Sequence, residues 1–456
     1  MGLDIDKQIA ELMARHRSDA VLLHRPYPPF TAAATNSRFG GLPALPAAID
    51  WPRMKDGTPL HFLAQIDCSA LPFRSALPDR GMLFFFGRDD DEQIWSEAFV
   101  GDRAWRVVHA PDATGDDAVR PVPPDLPPIG GDYPQGNWRP FLLEGETGPN
   151  VHVEWPIELR RMDTWPDVSA LTDEEFGAAN EGEGWRSRLL ALVNKEKQAQ
   201  RQEADRAQLW DAYQDQLDVR RADSFYAATR FARPRPKTGE PYFRKTQLAM
   251  RILQEDSGSQ AWPDRWVHIG FFCRALRVGL ERPAARKNID DADARITAAT
   301  EWITIADAAD PAAPVPAAQR DDFRRWATSM QRGEAKMALD YAVADWMLDA
   351  ATAAIRSFAH DPKKAALITP TIYDVMAPHF QGDSAWGIQY SQMLGHAPSS
   401  QQARETDDPT LCLLNLASDA GLGWMFGDVG EASFWVSPEA LAQRDFSKAW
   451  ATLEGH

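Results

Sequence analysis

Short apolar runs bounded by glycine or proline mark both ends of the chain and predict β-strands. Near the N-terminus they are His61 to Asp67 (H-F-L-A-Q-I-D) and Gly81 to Gly87 (G-M-L-F-F-F-G). Near the C-terminus, Leu411 to Leu416 has the same character. Leu422 to Gly430 (L-G-W-M-F-G-D-V-G) and Ala432 to Val436 then predict a strand, a Gly-Asp-x-Gly turn and a second strand. Both ends are therefore expected to be strand-rich.

The middle of the chain has a helical pattern instead. Apolar residues at helical spacing predict a helix over 3–23 that leads into the first strand-rich region, and the period returns from Trp185 to Asp223 and from Asp321 to Ala359. Between 194 and 206 large apolar residues are almost absent, which predicts a projecting or loosely packed helix. The expected fold class is α+β, with antiparallel β-sheets and an inserted, mainly α-helical region.

This alternation also predicts how the chain divides. Residues 1–165 are expected to form the N-terminal part of a β-rich domain, and residues 366–456 its C-terminal part. Residues 166–365 are expected to be a helical insertion between the two parts.

The two strand-rich ends resemble each other. Gln65 lies inside the apolar run F-L-A-Q-I-D, and Asn415 lies inside L-L-N-L-A-S. Counting 19 residues onward reaches Phe84 from Gln65 and Phe434 from Asn415, and both phenylalanines are in aromatic strands that follow a glycine. An internal duplication that gives two related β-units explains the agreement, and so does chance similarity between two apolar hairpins.

The formal charge of −17 and the pI of about 5.1 change the picture of partners. An acidic chain repels phosphate backbones, so nucleic-acid binding is not expected. Surplus carboxylates keep many proteins soluble, and they would also favour a basic protein partner. The composition does not address the oligomeric state.

The cysteines and the N-terminus bear on the compartment. The three cysteines lie far apart in apolar stretches, which argues against a disulfide framework and for buried free thiols in a reducing compartment. Asp4 and Asp6 stand where a secretory signal would carry positive charge, and no apolar run is long enough to span a membrane. A cytoplasmic protein without a membrane segment is expected.

Six segments in a fixed order carry a family resemblance. They are Ser37 to Pro43 (S-R-F-G-G-L-P), His61 to Asp67, Leu77 to Phe86 (L-P-D-R-G-M-L-F-F-F), Met393 to His396 (M-L-G-H), Leu422 to Gly430 and Arg444 to Lys448 (R-D-F-S-K). Together they resemble the YwqG-like family, a bacterial family of unknown function. The similarity covers roughly 25–160 and 370–452, so the central helical block looks like an enlargement. The resemblance implies an α+β fold built on antiparallel sheets, and it brings no activity, cofactor or catalytic residue with it.

Two amides inside apolar strands are the first candidates for ligand binding. A buried amide without a partner costs about 1–3 kcal/mol, so Gln65 and Asn415 must bond to a ligand or to backbone across the sheet. Asp419 and Asp428 lie in Gly-rich turns, where a carboxylate either binds a ligand or caps the turn with its own side chain.

Three further residues are candidates on weaker grounds. Arg38 in S-R-F-G-G could clamp an anion beside exposed backbone N–H groups, although the loop also serves as a sharp turn. Asp67 ends the strand of Gln65 and could share its site. His396 in M-L-G-H-A-P is the histidine to test first, although no metal-binding spacing such as H-E-x-x-H occurs in the sequence.

Tryptophan is abundant, with 17 residues, and many stand beside charged residues. Such pairs suit either a protein interface or the core of amphipathic helices. The interface candidates are Trp185, Trp210, Trp266, Trp326 and Trp346.

No catalytic constellation, metal motif or cofactor fingerprint stands out in the sequence. The favoured hypothesis is a non-enzymatic protein-interaction module without a cofactor, for example an immunity-type protein that neutralises a basic toxin. The alternative is an enzyme or small-ligand-binding protein with a polar cleft between the two β-units. Gln65, Asp67, Asn415, Asp419 and Asp428 would line that cleft.

Overall fold

The computed structural model describes the chain in segments. These are residues 2–32, 34–89, 104–115, 117–130, 148–167, 171, 184–213, 262–283, 289, 291–329, 336–369, 372–373, 376, 390–398, 401 and 409–455.

The described residues form helices, strands and short connecting turns. Helices α1 to α8 span Gly2–His16, Gly184–Tyr213, Trp266–Glu281, Ala292–Asp307, Ala317–Ser329, Lys336–Phe358, Pro362–Ala365 and Pro438–Ala442. Strands β1 to β11 span Ser18–His24, Arg38–Phe39, His61–Asp67, Met82–Gly87, Trp105–Ala110, Trp155–Pro156, Glu158–Thr164, Gln392–Leu394, Leu411–Ala417, Glu431–Val436 and Trp450–Glu454.

Two antiparallel sheets form the centre of the molecule. One has six strands in the order β11-β10-β9-β8-β1-β7, and the other has five in the order β5-β4-β3-β2-β6. The helices pack around them, so the α+β fold class predicted from the sequence is confirmed. Helices α3 to α6 share one continuous hydrophobic cluster with both sheets. The domain boundaries read from the sequence stay a prediction.

The helix predicted over 3–23 is wrong in its second half. Helix α1 ends at His16, and Ser18–His24 form strand β1 between β7 and β8 in the larger sheet. The run Ala20-Val21-Leu22-Leu23 is buried throughout because both faces of a central strand are covered. A continuous apolar run of that kind does not distinguish a strand from a buried helix by its period.

The strand predicted ahead of the Gly-Asp-x-Gly turn is also wrong. Leu422, Trp424 and Phe426 are buried in the main cluster, but they belong to the connection between β9 and β10, where Asp419 and Trp424 form an isolated bridge. Gly423 and Gly427 have φ values of 74° and 55°, which break an extended run. The second predicted strand is confirmed as β10.

The two sheets correspond element by element, which favours internal duplication over chance. We define the first unit as β2 to β6 and the second unit as β8 to β11 with β1. Both have the same strand order, with β1 of the second unit in the place that β6 has in the first. Both also carry an irregularity at the matching point of one ladder, where Leu63 and Leu413 have no cross-strand partner.

Two serines make the same contacts in the two units. The Ser37 hydroxyl accepts from the Asp67 amide at 2.9 Å, and the Ser391 hydroxyl accepts from the Ala417 amide at 3.1 Å. Each serine carbonyl accepts from the strand on its other side, at 3.1 Å for Ser37 and 3.0 Å for Ser391. The segment S-R-F-G-G at Ser37 therefore matches S-Q-M-L-G at Ser391.

Aromatic side chains join the inner faces of the two units. The ladders place Gln65 opposite Phe84 but Asn415 opposite Ser433, so Phe434 matches Phe85, and the expected match with Phe84 is off by one residue. The rings of Phe85 and Phe434 meet edge to face with centroids 5.3 Å apart. The two equivalent residues thus contact each other where the sheets pack.

A buried ion pair anchors the loop between β9 and β10. Arg25 Nε donates to Asp419 Oδ2 at 2.7 Å, and the Arg25 side chain is 6% exposed. Arg356, which is also buried, donates to the carbonyl of Ala420. A Cβ at Gly421 would lie 2.9 Å from Arg25 Nη1, so the loop approaches the guanidinium only because this residue is glycine. Burial lowers the pKa of Arg356 to about 10, against the charge of Asp419.

We expect Asp419→Asn to destabilise the protein by about 3–5 kcal/mol, because it leaves buried guanidinium charge without its carboxylate. Chemical denaturation measures the loss. Asp428→Asn is the matched control, since Asp428 is exposed on the same connection, and it should change stability by less than about 0.5 kcal/mol. Equal effects of the two substitutions would contradict an anchoring role for Asp419.

Candidate functional site

The outer faces of the two units differ in chemistry. In the first unit the outer face is apolar and packs under the loop before β3, in a cluster that includes Trp51, Phe62, Met82, Phe84 and Phe86. The second unit carries polar side chains at two of the matching positions. The difference is clear along one strand, where the first unit has Met82 and Phe84 and the second has Glu431 and Ser433.

Four polar residues form a row across the outer face of the second unit. Gln392 lies opposite Asn415, Asn415 opposite Ser433, and Ser433 opposite Thr452, with one residue on each of β8 to β11. Directly opposed residues have Cβ atoms about 4.5–5.5 Å apart, so the four side chains are neighbours. We call them the polar row. Gln392 and Asn415 are fully buried.

Hydrogen bonds fix how the two amides of the polar row are oriented. Asn415 Nδ2 donates to Ser433 Oγ at 2.9 Å, and Gln392 Nε2 donates to the carbonyls of Leu394 and His396 at 3.0 and 3.1 Å. The oxygens Gln392 Oε1 and Asn415 Oδ1 accept no hydrogen bond from the described residues. Two buried acceptors on one face are therefore left without donors.

Two carboxyl groups extend the polar row toward one end of the sheet. Glu431 is 6% exposed and lies directly opposite Glu454 in the ladder of β10 and β11. Burial, and next the charge of Glu454, raise the pKa of Glu431 to about 7, against the opposing charge of Lys197. Glu431 Oε2 accepts no hydrogen bond from any described residue, which makes it a third buried acceptor.

Basic groups adjoin the polar row, since Lys197 interacts with Glu431 and the His396 carbonyl accepts from Gln392. Burial lowers the pKa of Lys197, although the charges of Asp167 and Glu431 oppose the shift. Burial also lowers the pKa of His396, helped by the charges of Lys197 and His16. Perturbed pKa values of this kind cluster at functional sites. We call the polar row together with Glu431, Glu454, Lys197 and His396 the polar face.

Helix α2 lies against the polar face. Its Ala204 packs with Leu22 and Met162 on the outer side of β1 and β7. Gln200 binds the backbone of Asp163 on β7 in both directions, accepting from the amide at 2.7 Å and donating to the carbonyl at 3.2 Å. The helix predicted to project is thus docked over its described part, and residues 214–223 of that prediction lie outside the described residues.

The polar face contains two of the seven ligand-binding candidates, Asn415 and His396. Gln65 is satisfied by backbone, since Oε1 accepts from the Ala44 amide at 3.0 Å and Nε2 donates to the Asn36 carbonyl at 2.7 Å. Asp67 accepts from the amide of Ser69 at 2.9 Å and caps a short 3-10 turn.

The other three candidates lie elsewhere. Arg38 donates to the carbonyl of Leu42, and its Nε lies 4.0 Å from the Glu154 carboxylate. Asp419 binds Arg25, as described above, and Asp428 is exposed on its turn.

The two amides do not line the polar cleft that was expected between the units. Successive side chains on a strand point to opposite faces, and Gln65 lies opposite Phe84, on the outer side of its sheet. Asn415 lies opposite Ser433 and points outward as well. Phe85 and Phe434 occupy the space between the sheets instead.

The tryptophans proposed for an interface lie largely in the core. Trp185 and Trp266 are buried, and Trp326 and Trp346 pack against the main hydrophobic cluster. The side chain of Trp210 is outside the described part of the structure.

Two other buried polar groups are held by contacts within the fold. His268 Nε2 lies 3.2 Å from Asp264 Oδ1, and Asp264 also accepts from the amide of Thr369 at 3.1 Å. His152 Nδ1 accepts from Trp424 Nε1 at 3.1 Å, and burial lowers the pKa of His152 to about 3. These contacts connect neighbouring elements, so neither group is a stronger candidate than the polar face.

Three further features of the described residues concern metal ions, thiols and membranes. Within the described ranges no group of three or more His, Cys, Asp or Glu residues is arranged to hold a metal ion. Cys68, Cys273 and Cys412 are buried and are not joined by disulfide bonds, and burial raises the pKa of Cys68 to about 12. No helix among the described residues is long and apolar enough to cross a membrane.

Six residues of the polar face were missed by sequence reasoning, namely Gln392, Ser433, Glu431, Thr452, Glu454 and Lys197. The internal repeat carries a signal for the first three, because G-E-A-S-F in the second unit aligns with G-M-L-F-F in the first, and S-Q-M-L-G aligns with S-R-F-G-G. Polar residues at alternate positions of an otherwise apolar strand mark one face. Lys197 carries no such signal.

The fold and the site define an α+β protein with two related antiparallel units, one of which has a buried polar outer face. The chain belongs to the family described as Domain of unknown function (DUF1963), whose model matches residues 37–264 and 301–454. These ranges take in the first unit, strands β8 to β11 of the second unit and part of the central helical block. None of the curated proteins compared with the chain matches it.

We expect the equivalent amides to respond differently to replacement by leucine. Gln65→Leu removes the partners of two buried backbone groups and should cost about 2–4 kcal/mol. Asn415→Leu removes an acceptor that has no donor, so it should cost less than about 1 kcal/mol or stabilise the protein. Urea denaturation of the two variants compares them, and an equal loss would show that Asn415 is satisfied in solution.

The raised pKa of Glu431 predicts a pH-dependent stability difference. The folded protein holds this proton more tightly than the unfolded chain, so the stabilising effect is complete below the ordinary pKa and is lost as pH rises through about 7. Glu431→Gln should therefore gain stability over the wild type between about pH 5 and about pH 8, by up to about 3 kcal/mol.

Thermal unfolding at the two pH values measures the difference. Glu439→Gln, on an exposed carboxyl of the same unit, is the control and should follow the wild type. A constant offset between Glu431→Gln and the wild type at both pH values would contradict the raised pKa.

Proposed function

We propose that the chain is a non-enzymatic binding protein whose polar face holds a small molecule rich in hydrogen-bond donors. The observation that carries this proposal is the pair of buried oxygens, Gln392 Oε1 and Asn415 Oδ1, which accept no hydrogen bond from the described residues. Each such group costs about 1–3 kcal/mol when it is left unpaired. The first unit avoids the cost at Gln65, so the second unit keeps it at a position where the fold does not require it.

The chemistry of the acceptors restricts the ligand. An amide oxygen and a carboxylate oxygen both require N–H or O–H donors from a bound molecule. Ser433 and Thr452 add hydroxyl groups along the same row, and Trp435 donates its indole N–H to Thr452 Oγ1 at 3.2 Å. The polar face therefore suits an amine, a polyol or a sugar better than an anion.

A thermal-shift screen of amines, polyols and sugars tests this proposal. A ligand at about 100 times its Kd stabilises by about 2.7 kcal/mol, which for a chain of this length raises Tm by about 2–3 °C. The double variant Gln392→Leu with Asn415→Leu should lose the shift, and Glu439→Gln should keep it. A molecule that stabilises the double variant as strongly as the wild type binds elsewhere and contradicts the proposal.

A protein partner is the second candidate function, and the net charge of −17 is the observation that favours it. The acidic surface of the chain would attract a basic partner, such as a toxin neutralised in an immunity-type complex. A high salt concentration would release that partner. Affinity capture from native lysate at low and high salt is the test. Recovery of the chain alone under all salt conditions would count against this function.

Two further proposals concern the bacterial relatives of the chain and its cellular compartment. We propose that the family includes the bacterial YwqG-like proteins, because the six ordered segments that resemble them lie in or beside the two units. We also propose a cytoplasmic location, since the three cysteines are buried and are not joined by disulfide bonds. Fractionation of cells that express the full chain tests the location.

A further inference from the structure

We infer that the ligand of the polar face is a linear diamine or polyamine, bound through an ammonium group at the Glu431–Glu454 pair. This inference rests on the proposed function, since it specifies the chemical class of the molecule held there. The identity of the unpaired atoms, the charges around them and the spacing of the strands support a ligand of this class.

The unpaired atoms of the polar face itself are acceptors, and the neighbouring Tyr390 hydroxyl, which can donate or accept, is unpaired among the described residues as well. Gln392 Oε1, Asn415 Oδ1 and Glu431 Oε2 are buried, and they receive no hydrogen bond from described residues. The two amides cannot turn their nitrogens toward the ligand without losing the bonds that these nitrogens already make to Ser433 and to backbone carbonyls. An ammonium group has three donors and no acceptor, so it complements such a set.

Charges of both signs face Glu431. Glu454 faces Glu431 from β11, and Lys197 faces it from helix α2. Lys197 in turn interacts with Asp167 and His396, and His396 interacts with His16 at the end of α1. The charge of Lys197 does not return the pKa of Glu431 to its ordinary value. A ligand cation in direct contact would supply the missing compensation.

The spacing of the acceptors favours a linear molecule with two donor groups. Asn415 lies opposite Ser433, and Glu431 is two residues along from Ser433 on the same face. Diagonal neighbours of this kind are about 7–8 Å apart at Cα and somewhat closer at their side chains. An extended four-carbon diamine can therefore place one ammonium at Glu431 and the other near the amide oxygens. The net charge of −17 also raises the local concentration of such cations.

Binding of the cation is coupled to loss of a proton from the carboxyl pair. In the free protein Glu431 is largely protonated at about pH 6 and largely ionised at about pH 8, and only the ionised form pairs with an ammonium. Affinity should therefore rise about tenfold between these pH values. Binding should release close to one proton per ligand at the lower pH and close to none at the higher.

Isothermal titration calorimetry with the full chain tests the inference by comparing 1,4-diaminobutane with 1,4-butanediol. The two probes have the same length and differ in charge. Titrations at about pH 6 and about pH 8, in two buffers of different ionisation enthalpy, give both the affinity and the number of protons released. The expected result is that the diamine binds, with the tenfold rise and the proton release, and that the diol binds much more weakly.

Two variants locate the effect. Glu431→Gln should weaken diamine binding at about pH 8 at least tenfold and abolish the pH dependence, while Glu439→Gln should bind as the wild type does. Circular dichroism of each variant confirms that it is folded. Unchanged diamine binding by folded Glu431→Gln would overturn the inference.

Other outcomes separate the inference from the proposed function. If the diol, but not the diamine, binds and requires Asn415 and Gln392, the polar face is a ligand site and the cationic class is wrong. Diamine binding that is independent of pH between about pH 6 and about pH 8 would also overturn the inference. If neither probe binds and no molecule in the thermal-shift screen acts through these amides, the proposed function fails as well.

Discussion

The packing of the two sheets through their inner faces is the contact on which the rest of the structure depends. Phe85 and Phe434 meet at its centre, and Trp105 of the first unit donates to the carbonyl of Ala449 beside the second at 3.3 Å. A sheet has two faces, and this packing uses one face of each unit for the shared core. Burial of the inner faces fixes both units in the same way, so they can differ in chemistry on their outer faces.

Buried polar groups require hydrogen-bond partners, and the two units differ in how far they provide them. In the first, Gln65 bonds to two backbone groups and helps to hold the loop over an apolar face. In the second, the outer face carries buried polar side chains whose acceptors stay unused by the described residues. A fold under selection for stability alone would pair these amides, as the first unit pairs Gln65 with backbone. The proposed ligand-binding function therefore rests on these unpaired acceptors.

Much of the strand pattern was predictable from the sequence because it is local. Strands β3, β4, β9 and β10 follow from apolar runs bounded by turn residues, and the match between Gln65 and Asn415 follows from comparing those runs. The roles of the two amides were not predictable, since Ala44 reaches Gln65 through a loop whose path depends on the whole unit. Strand β1 was misread because its apolar run suits a helix or a central strand equally well.

The sequence by itself determined the fold class, the presence of two strand-rich regions and the excess of negative charge. The tertiary structure decided which of the candidate polar residues act together. Asn415 and His396 join Glu431 and Lys197 because strand register and the docking of helix α2 bring distant segments together on one face of a sheet. Such convergence depends on long-range contacts, and residue type and local spacing do not encode them. The pKa values that make the site distinctive arise from burial, which exists only after the chain has folded.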